Sequence, residues 1–217
     1  MNTHRKNVGL VMFYDDNIKN YADINRKINE KYCEKYNIEL VVSHKKRYAN
    51  RHPAWERLPL LLENISRFDY LVWIDADAFF YKEADNIFDL ITGKENYSFI
   101  FSRDLNNINI NTGVFIVKNC KYSIDFLSIW AYDEYLYNNN PFPCWWDQGV
   151  LLYMFHINVL NIQNHSCLID YGVLQHMSVD CDDKLENTLI MHLAGRKGTE
   201  RYDVPNNYFN ANFSENR

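Results

Sequence analysis

The run Leu71-Val-Trp-Ile-Asp75-Ala-Asp77-Ala-Phe-Phe80 constrains this chain more than any other segment. Its apolar half reads as a buried strand, and two carboxylates one residue apart arrive at its end. Ionised groups between apolar runs are costly unless something compensates them. Alternate residues of an extended chain point the same way, so Asp75 and Asp77 are expected to face one side together. Two like charges held that close need a positive partner. Hard oxygen ligands favour Mg²⁺ or Mn²⁺, and a carboxylate-held metal at a strand end can grip a diphosphate. The plainer alternative is a pair of turn residues capping the helical region near Asp85.

The rest of the chain supplies a frame for that strand. Val8 to Phe13 is a short apolar run, a first strand, and Tyr14 to Asn17 reads as a turn and helix cap. Ile24, Ile28, Tyr32 and Tyr36 recur every four residues, which predicts a helix over 21–36. A second strand is expected over 38–42, a helix over 55–65 and the acid-bearing strand over 70–75. A short helix over 85–91 and a strand over 97–102 follow. Asn111-Thr-Gly113 reads as a turn feeding a strand to Val117. One long amphipathic helix is expected over 122–137. Pro141 and Pro143 break the chain before a helix over 145–155. Ile157 to Ile162 is strand-like, and the remainder reads as loop-rich. Strands alternating with helices imply an α/β fold with a mostly parallel central sheet flanked by helices. With no linker, repeat or low-complexity tract, a single domain is expected over 1–217, its core about 8–200 and a C-terminal tail about 201–217. Ligands in such sheets lie beyond the carboxyl ends of strands, where Asp75 and Asp77 fall.

Composition narrows the function classes. The 217 residues are 47% hydrophobic and 24% charged, enough for a full core. A net charge of −5 argues against general nucleic-acid binding. The aromatic share of 16% suits sugar and nucleobase recognition, although most such rings fill core and surface. Cys33, Cys120, Cys144, Cys167 and Cys181 are odd in number and lack Cys-x-x-Cys spacing, so reduced structural thiols and no zinc site are expected. No signal-peptide core or membrane-length apolar run is present, so a soluble, cytoplasmic protein is expected, in the host cytoplasm if the source is viral. Asn-x-Ser sequons at Asn64, Asn96, Asn164 and Asn212 carry little weight without a secretory signal. P-loop, dinucleotide-fingerprint and nucleophile-elbow patterns are absent.

Two further constellations bear chemistry. In His192-Leu-Ala-Gly195-Arg196-Lys197-Gly198 an imidazole could be a further metal ligand. The glycines would let backbone approach a ligand, and the cations could neutralise phosphate. The alternative is a core histidine followed by a solvated basic loop. The other six His are taken as structural. In Trp145-Trp146-Asp147-Gln148-Gly149 an Asp and a Gln at a helix start can hydrogen-bond vicinal hydroxyls, with Trp rings alongside for stacking. Here the alternative is an N-cap at Asp147 with two core Trp. Trp55-Glu-Arg57 and Asn111-Thr-Gly113 alone read as a helix start and a turn.

Together these blocks resemble the GT-A glycosyltransferases of the family that contains plant xyloglucan xylosyltransferases and fungal galactosyl- and mannosyltransferases. The blocks occur in the family's order: Tyr36-Asn-Ile-Glu-Leu-Val-Val42, Trp55-Glu-Arg-Leu-Pro-Leu60, Trp73-Ile-Asp-Ala-Asp-Ala78, Asn111-Thr-Gly-Val-Phe115 running to Asn119-Cys120, Asp147-Gln148 and His192-Leu-Ala-Gly-Arg-Lys197. They cover roughly residues 8–200. The resemblance implies a Rossmann-like nucleotide-sugar-binding sheet and retaining transfer from a nucleotide diphosphate sugar, dependent on Mn²⁺ (or Mg²⁺). A UDP-sugar is the favoured donor, GDP-mannose the alternative, and a glycan or other hydroxyl compound the acceptor. It implies Asp75, Asp77 and His192 as metal ligands, Lys197 on the diphosphate, and Asp147 and Gln148 around the anomeric carbon. Tyr14, Arg57, Ala76, Asn111 and Gly195 complete the expected donor site. Arg57 stands where relatives usually carry Lys, and Trp146 where they often carry another Asp.

Retention needs either a covalent intermediate on Asp147 or same-face attack by the acceptor, and the resemblance favours the latter. The Lys197 loop, flanked by Gly195 and Gly198, is expected to close as a lid. Two rival readings are an aspartyl-phosphate phosphatase or mutase and a non-catalytic nucleotide-sugar or carbohydrate-binding module. The first places its Asp-x-Asp at the first strand, unlike this chain. Keeping both Asp, His192 and Lys197 argues against the second.

Overall fold

A computed structural model of the chain describes residues 6–177 and 187–213. The main sheet takes β1 (Val8–Phe13), β2 (Glu39–Ser43), β3 (Tyr70–Ile74), β5 (Phe99–Arg103), β6 (Ile110–Lys118) and β7 (Ser166–Ile169), in the order β2-β1-β3-β6-β5-β7. β6 is antiparallel to β3 and β5, while the other pairings are parallel. A second, small sheet joins β4 (Ala78–Phe80), β9 (Ile190–His192) and β8 (Gln175–His176). The helices are α1 (Lys19–Tyr36), α2 (Arg57–Asn64), α3 (Ile87–Ile91), α4 (Lys121–Tyr132), α5 (Glu134–Asn139), α6 (Trp146–His156), α7 (Ile162–His165) and α8 (Glu200–Phe213). Among the described residues no helix is long and apolar enough to cross a membrane.

The period-two alternation of the strands sorts their side chains into two cores. Val11, Phe13, Leu71, Trp73, Phe101, Phe115 and Val117 pack on one face against α2, α4 and α6. Leu10, Met12, Val72, Ile74, Ile100, Val114 and Ile116 pack on the other, against α1 and α3. α1 ends at Asn37, whose left-handed backbone (φ 50°) returns its N–H to Cys33 and Glu34 carbonyls.

The inward face of α1 carries two polar residues, Asn25 and Asn29, both fully buried. They tie down the chain that follows β3. Asn25 Nδ2 donates to Ala76 O at 2.9 Å. Asn29 Nδ2 donates to Ala78 O at 3.1 Å while its Oδ1 accepts from Phe80 N at 3.0 Å. These backbone groups lie at the join between the two sheets, and each would otherwise be an unsatisfied buried polar group.

Several local expectations are corrected. Asn111 to Gly113 form no separate turn but belong to β6, where the pairing with β5 slips from Phe101–Phe115 to Ser102–Asn111 as a bulge. The helix expected over 122–137 is two helices. Asp133 (ψ 106°) leaves helical geometry between them, and its carboxylate accepts from Leu136 N at 2.9 Å to start α5. Ile157 to Ile162 form no strand, because Asn158, Leu160 and Asn161 take positive φ, and the sheet position goes to β7. The loop-rich ending is replaced over Glu200–Phe213 by α8, whose Tyr208 and Phe209 seal Phe79 and Leu193. Cys33, Cys120, Cys144 and Cys167 are free thiols, and Cys181 lies outside the described residues.

Candidate active site

β3 ends at Ile74, and the chain turns at once: Ala78 N donates to Asp75 O at 3.0 Å. Asp75 and Asp77 therefore meet across a tight turn, and not through the strand alternation expected of an extended segment. The turn then feeds β4, whose antiparallel partner β9 sets Ala78 opposite His192. That register carries a residue 115 positions downstream of Asp77 into contact with it. His192 Nε2 lies 3.3 Å from Asp77 Oδ1 and 3.8 Å from Asp75 Oδ2. Each of the three side chains offers one ligand atom, and these atoms all lie within 4.8 Å of one another, a cluster able to hold a divalent metal.

The imidazole is aimed by its other nitrogen. Nδ1 lies 2.8 Å from Gln175 Oε1, an acceptor, so Nδ1 carries a proton and Nε2 is turned toward the carboxylates. Gln175 is itself held, its Nε2 donating to Asn111 Oδ1 at 3.2 Å, which also accepts from Gly113 N at 2.8 Å. Gly113 has a steric purpose as well. A Cβ there would sit 2.0 Å from His192 Cε1. The ring occupies the space that only glycine leaves open.

A buried guanidinium forms the second half of the site. Arg57 reaches Asp75 Oδ1 at 3.2 Å and Asp147 Oδ2 at 3.1 Å, and also donates to the carbonyls of Ala54 and Thr112. Trp73 Nε1 donates to Asp75 Oδ1 at 2.7 Å. Asp147 opens α6 and is 1% exposed. Burial pushes its carboxyl up to about 7, with Arg57 opposing and Asp75 adding to the rise. Burial likewise raises Asp75 against the pull of Arg57 and His192. At Asp77 burial is outweighed by the hydrogen bond and charge of His192 and by Arg201, so its carboxyl is held low. Gln148 Oε1 accepts from Thr112 N at 3.0 Å.

These groups open into one cleft of about 620 Å³, large enough for a nucleotide-sized ligand. Of the residues expected at a donor site, Arg57, Asp75, Ala76, Asp77, Asn111, Asp147, Gln148, His192 and Gly195 line it. Two expected residues do not. Tyr14 is buried beneath, its hydroxyl donating to Asp23 at 2.7 Å. Lys197 is exposed outside the lining, between Gly195 and Gly198, both at positive φ. Trp145 and Trp146 are not core residues: they are 40% and 45% exposed along the cleft wall. Trp146 takes a rare backbone conformation for a bulky residue (φ 49°, ψ −123°) and stacks on His52 with ring centres 3.7 Å apart. His52, taken as structural from sequence, thus belongs to the cleft. Arg201, Thr112 and Gln175 were also missed. Only Arg201 left a signal, as a cation four residues after Lys197 at the start of α8.

Both the sequence and the fold have counterparts among known proteins. Residues 86–203, more than half of the chain, match the model of the galactosyl transferase GMA12/MNN10 family. Asn111–Gly113, Asp147–Gln148 and His192 fall within that span, and Asp75 and Asp77 precede it. A "Probable xyloglucan 6-xylosyltransferase 1" of Oryza sativa subsp. indica is 32% identical over 111 residues, 46% of this chain and 24% of the relative. The chain thus spans about a quarter of the length of the curated relatives it matches. Among solved structures, a glycosyltransferase involved in glycosylation of the major capsid of PBCV-1 superposes with a TM-score of 0.72 at 15% identity, covering 93% of this chain and 98% of that one. The galactosyltransferase LgtC, solved with donor and acceptor sugar analogs, gives 0.54 at 15%, covering 92% and 93%. At such identities the likeness establishes the fold, which is GT-A.

Two outcomes follow from the site. Gly113→Ala should leave the chain folded but displace the His192 ring, weakening Mn²⁺ binding by calorimetry about 10–100-fold, the usual scale for disturbing a ligand's support. Unchanged binding would show that the ring does not need that space. Between pH 3.8 and about 7 the native state keeps a proton on Asp147 that the unfolded chain releases. Stability from this group therefore falls as pH rises across that window. In EDTA, the urea midpoint of Asp147→Asn should gain on wild type between pH 5 and 8. A constant difference would contradict the raised carboxyl.

Proposed function

The chain belongs to the galactosyl transferase GMA12/MNN10 family, and from that premise and the cleft geometry we propose that it is a metal-dependent, retaining glycosyltransferase. It moves a hexose or pentose from a nucleotide diphosphate sugar to a hydroxyl of a glycan or similar acceptor. A UDP-sugar is the first donor to test, given the xylosyltransferase names among its relatives, with GDP-mannose as the alternative. The observation that carries this reading is the meeting of Asp75, Asp77 and His192 in the same cleft as Asp147 and Gln148.

The donor set fits a divalent cation, and an imidazole beside two carboxylates suits Mn²⁺ better than Mg²⁺, which prefers oxygen. Held by Asp75, Asp77 and His192, such a cation would offset the negative charge that develops on the departing diphosphate. The protein's own groups do the rest. Arg57 fixes Asp147 and keeps Asp75 compensated at once. Gln148 has its carbonyl oxygen tied to Thr112, which leaves its amide N–H groups for sugar hydroxyls. An oxocarbenium-like sugar gains from the nearby Asp147 once its carboxyl ionises, as pH rises through about 7. That carboxylate is 1% exposed and engaged by Arg57, which makes it a poor nucleophile. This supports same-face attack, in which the acceptor's proton passes to the leaving phosphate oxygen as the new glycosidic bond forms. Trp145, Trp146 and His52 offer aromatic faces to a sugar along one wall. Closure of the segment between Gly195 and Gly198 brings Lys197 to the diphosphate and excludes water.

A thermal-shift screen of nucleotide sugars with and without Mn²⁺ tests the reading. Saturation at 100-fold above Kd should stabilise the native protein by about 2.7 kcal/mol. The shift should require Mn²⁺ and vanish in Asp75→Ala and Asp77→Ala. Shifts that persist without metal, or in both variants, would remove the metal-held diphosphate from the account.

A further inference from the structure

Arg201 occupies a place that the donor-site reading leaves unexplained. It sits in the first turn of α8, lines the cleft, and is 30% exposed. Its Nη2 lies 3.1 Å from Asp77 Oδ2, on the carboxylate whose other oxygen faces His192. Its Nη1 reaches the Tyr21 hydroxyl at 3.4 Å, and the guanidinium lies over the Tyr21 ring, 5.5 Å from its centre. Its Nε–H is buried and has no hydrogen-bond partner among the described residues. Within them Arg201 is therefore a cation with one anionic contact, an unused donor and a flat aromatic support.

A divalent cation bound to Asp77 competes directly with that contact. Two positive groups on one carboxylate repel each other in a half-buried cleft, and among the described residues Arg201, unlike Arg57, has no second carboxylate to anchor it. A guanidinium displaced from Asp77 keeps a planar fork of donors that suits a phosphate group. Resting on the proposed donor reading, we propose that Arg201 is an exchangeable counter-ion: it competes with the divalent cation for Asp77, and once displaced it turns on Tyr21 to hold the donor's diphosphate. Arg201 thereby couples metal loading to donor capture. It weakens the binding of metal alone and strengthens the binding of nucleotide after metal has entered. Lys197, exposed beyond the lining, reaches the same diphosphate only by loop movement, whereas Arg201 is already inside.

The two halves have opposite signs in one variant. Arg201→Gln should bind Mn²⁺ alone about fivefold or more tightly than wild type, and should bind UDP at saturating Mn²⁺ about tenfold more weakly, the scale of one charge-assisted contact. Both constants come from titration calorimetry on the full chain, with circular dichroism to verify folding. Arg201→Lys, which keeps the charge but not the fork, should restore the metal constant toward wild type and recover only part of the UDP affinity. If both constants weaken, Arg201 is a structural residue and the proposal falls. If either constant stays at the wild-type value, the exchange is wrong. A wild-type protein that binds Mn²⁺ but no nucleoside diphosphate overturns the donor reading itself, while the Mn²⁺ titration of Arg201→Gln still decides whether Arg201 competes for Asp77.

Discussion

Two carboxylates at the inner end of a buried strand dominate the energetics of this fold. Asp75 and Asp77 are held by a turn whose backbone is pinned from α1 by Asn25 and Asn29. Their charge is met from three sides, by Arg57, by the imidazole of His192 and by Arg201. Removing one partner of such a cluster leaves an uncompensated charge in a poorly solvated place, which typically costs about 3–5 kcal/mol. The surrounding structure is arranged to prevent that. β9 pairs with β4 so that His192 arrives opposite Ala78, and α8 carries Arg201 across the same turn.

Charge compensation of this kind is also what makes the cleft chemically useful. The negative groups are neither fully neutralised by the protein nor left to water, so an added divalent cation finds ligands already gathered. Asp147 illustrates the tension from the other side. Its partner Arg57 is shared with Asp75, and a shared cation is not enough to keep a buried carboxyl low, so it rises to about 7. Across the cleft, Trp146 holds an unfavourable backbone conformation against His52. Residues held in sparsely populated conformations cluster at functional sites, because the packing around them can over-determine the geometry.

Much of this was legible from residue order. The strand that delivers Asp75 and Asp77, the helix over 21–36 and the presence of the Asp147-Gln148 pair at a helix start follow from periodicity and motif spacing. The parts that were not legible share a cause: they depend on long-range register. No local pattern says that His192 pairs across from Ala78, that Gln175 fixes its tautomer, or that Gly113 is glycine because an imidazole fills its Cβ position. Asn111-Thr-Gly113 looked like a turn because Asn and Gly favour turns, and the sheet absorbed that preference as a bulge in the pairing of β5 with β6. Ile157 to Ile162 looked like a strand because it is apolar and β-branched, yet asparagines at 158 and 161 adopt left-handed backbone and bend it away. Tyr14 and Lys197 were placed by family likeness, whereas their positions here are set by burial under β1 and by the exposed loop before α8.

In the proposed site one cation, held by the imidazole and the two acids, grips a diphosphate. Pulsed electron paramagnetic resonance on the protein with stoichiometric Mn²⁺ and UDP reads that arrangement directly. Simultaneous hyperfine couplings are expected to a nitrogen, from His192, and to phosphorus, from the nucleotide. A bound Mn²⁺ that couples to phosphorus without any nitrogen, or to nitrogen without phosphorus, would contradict it.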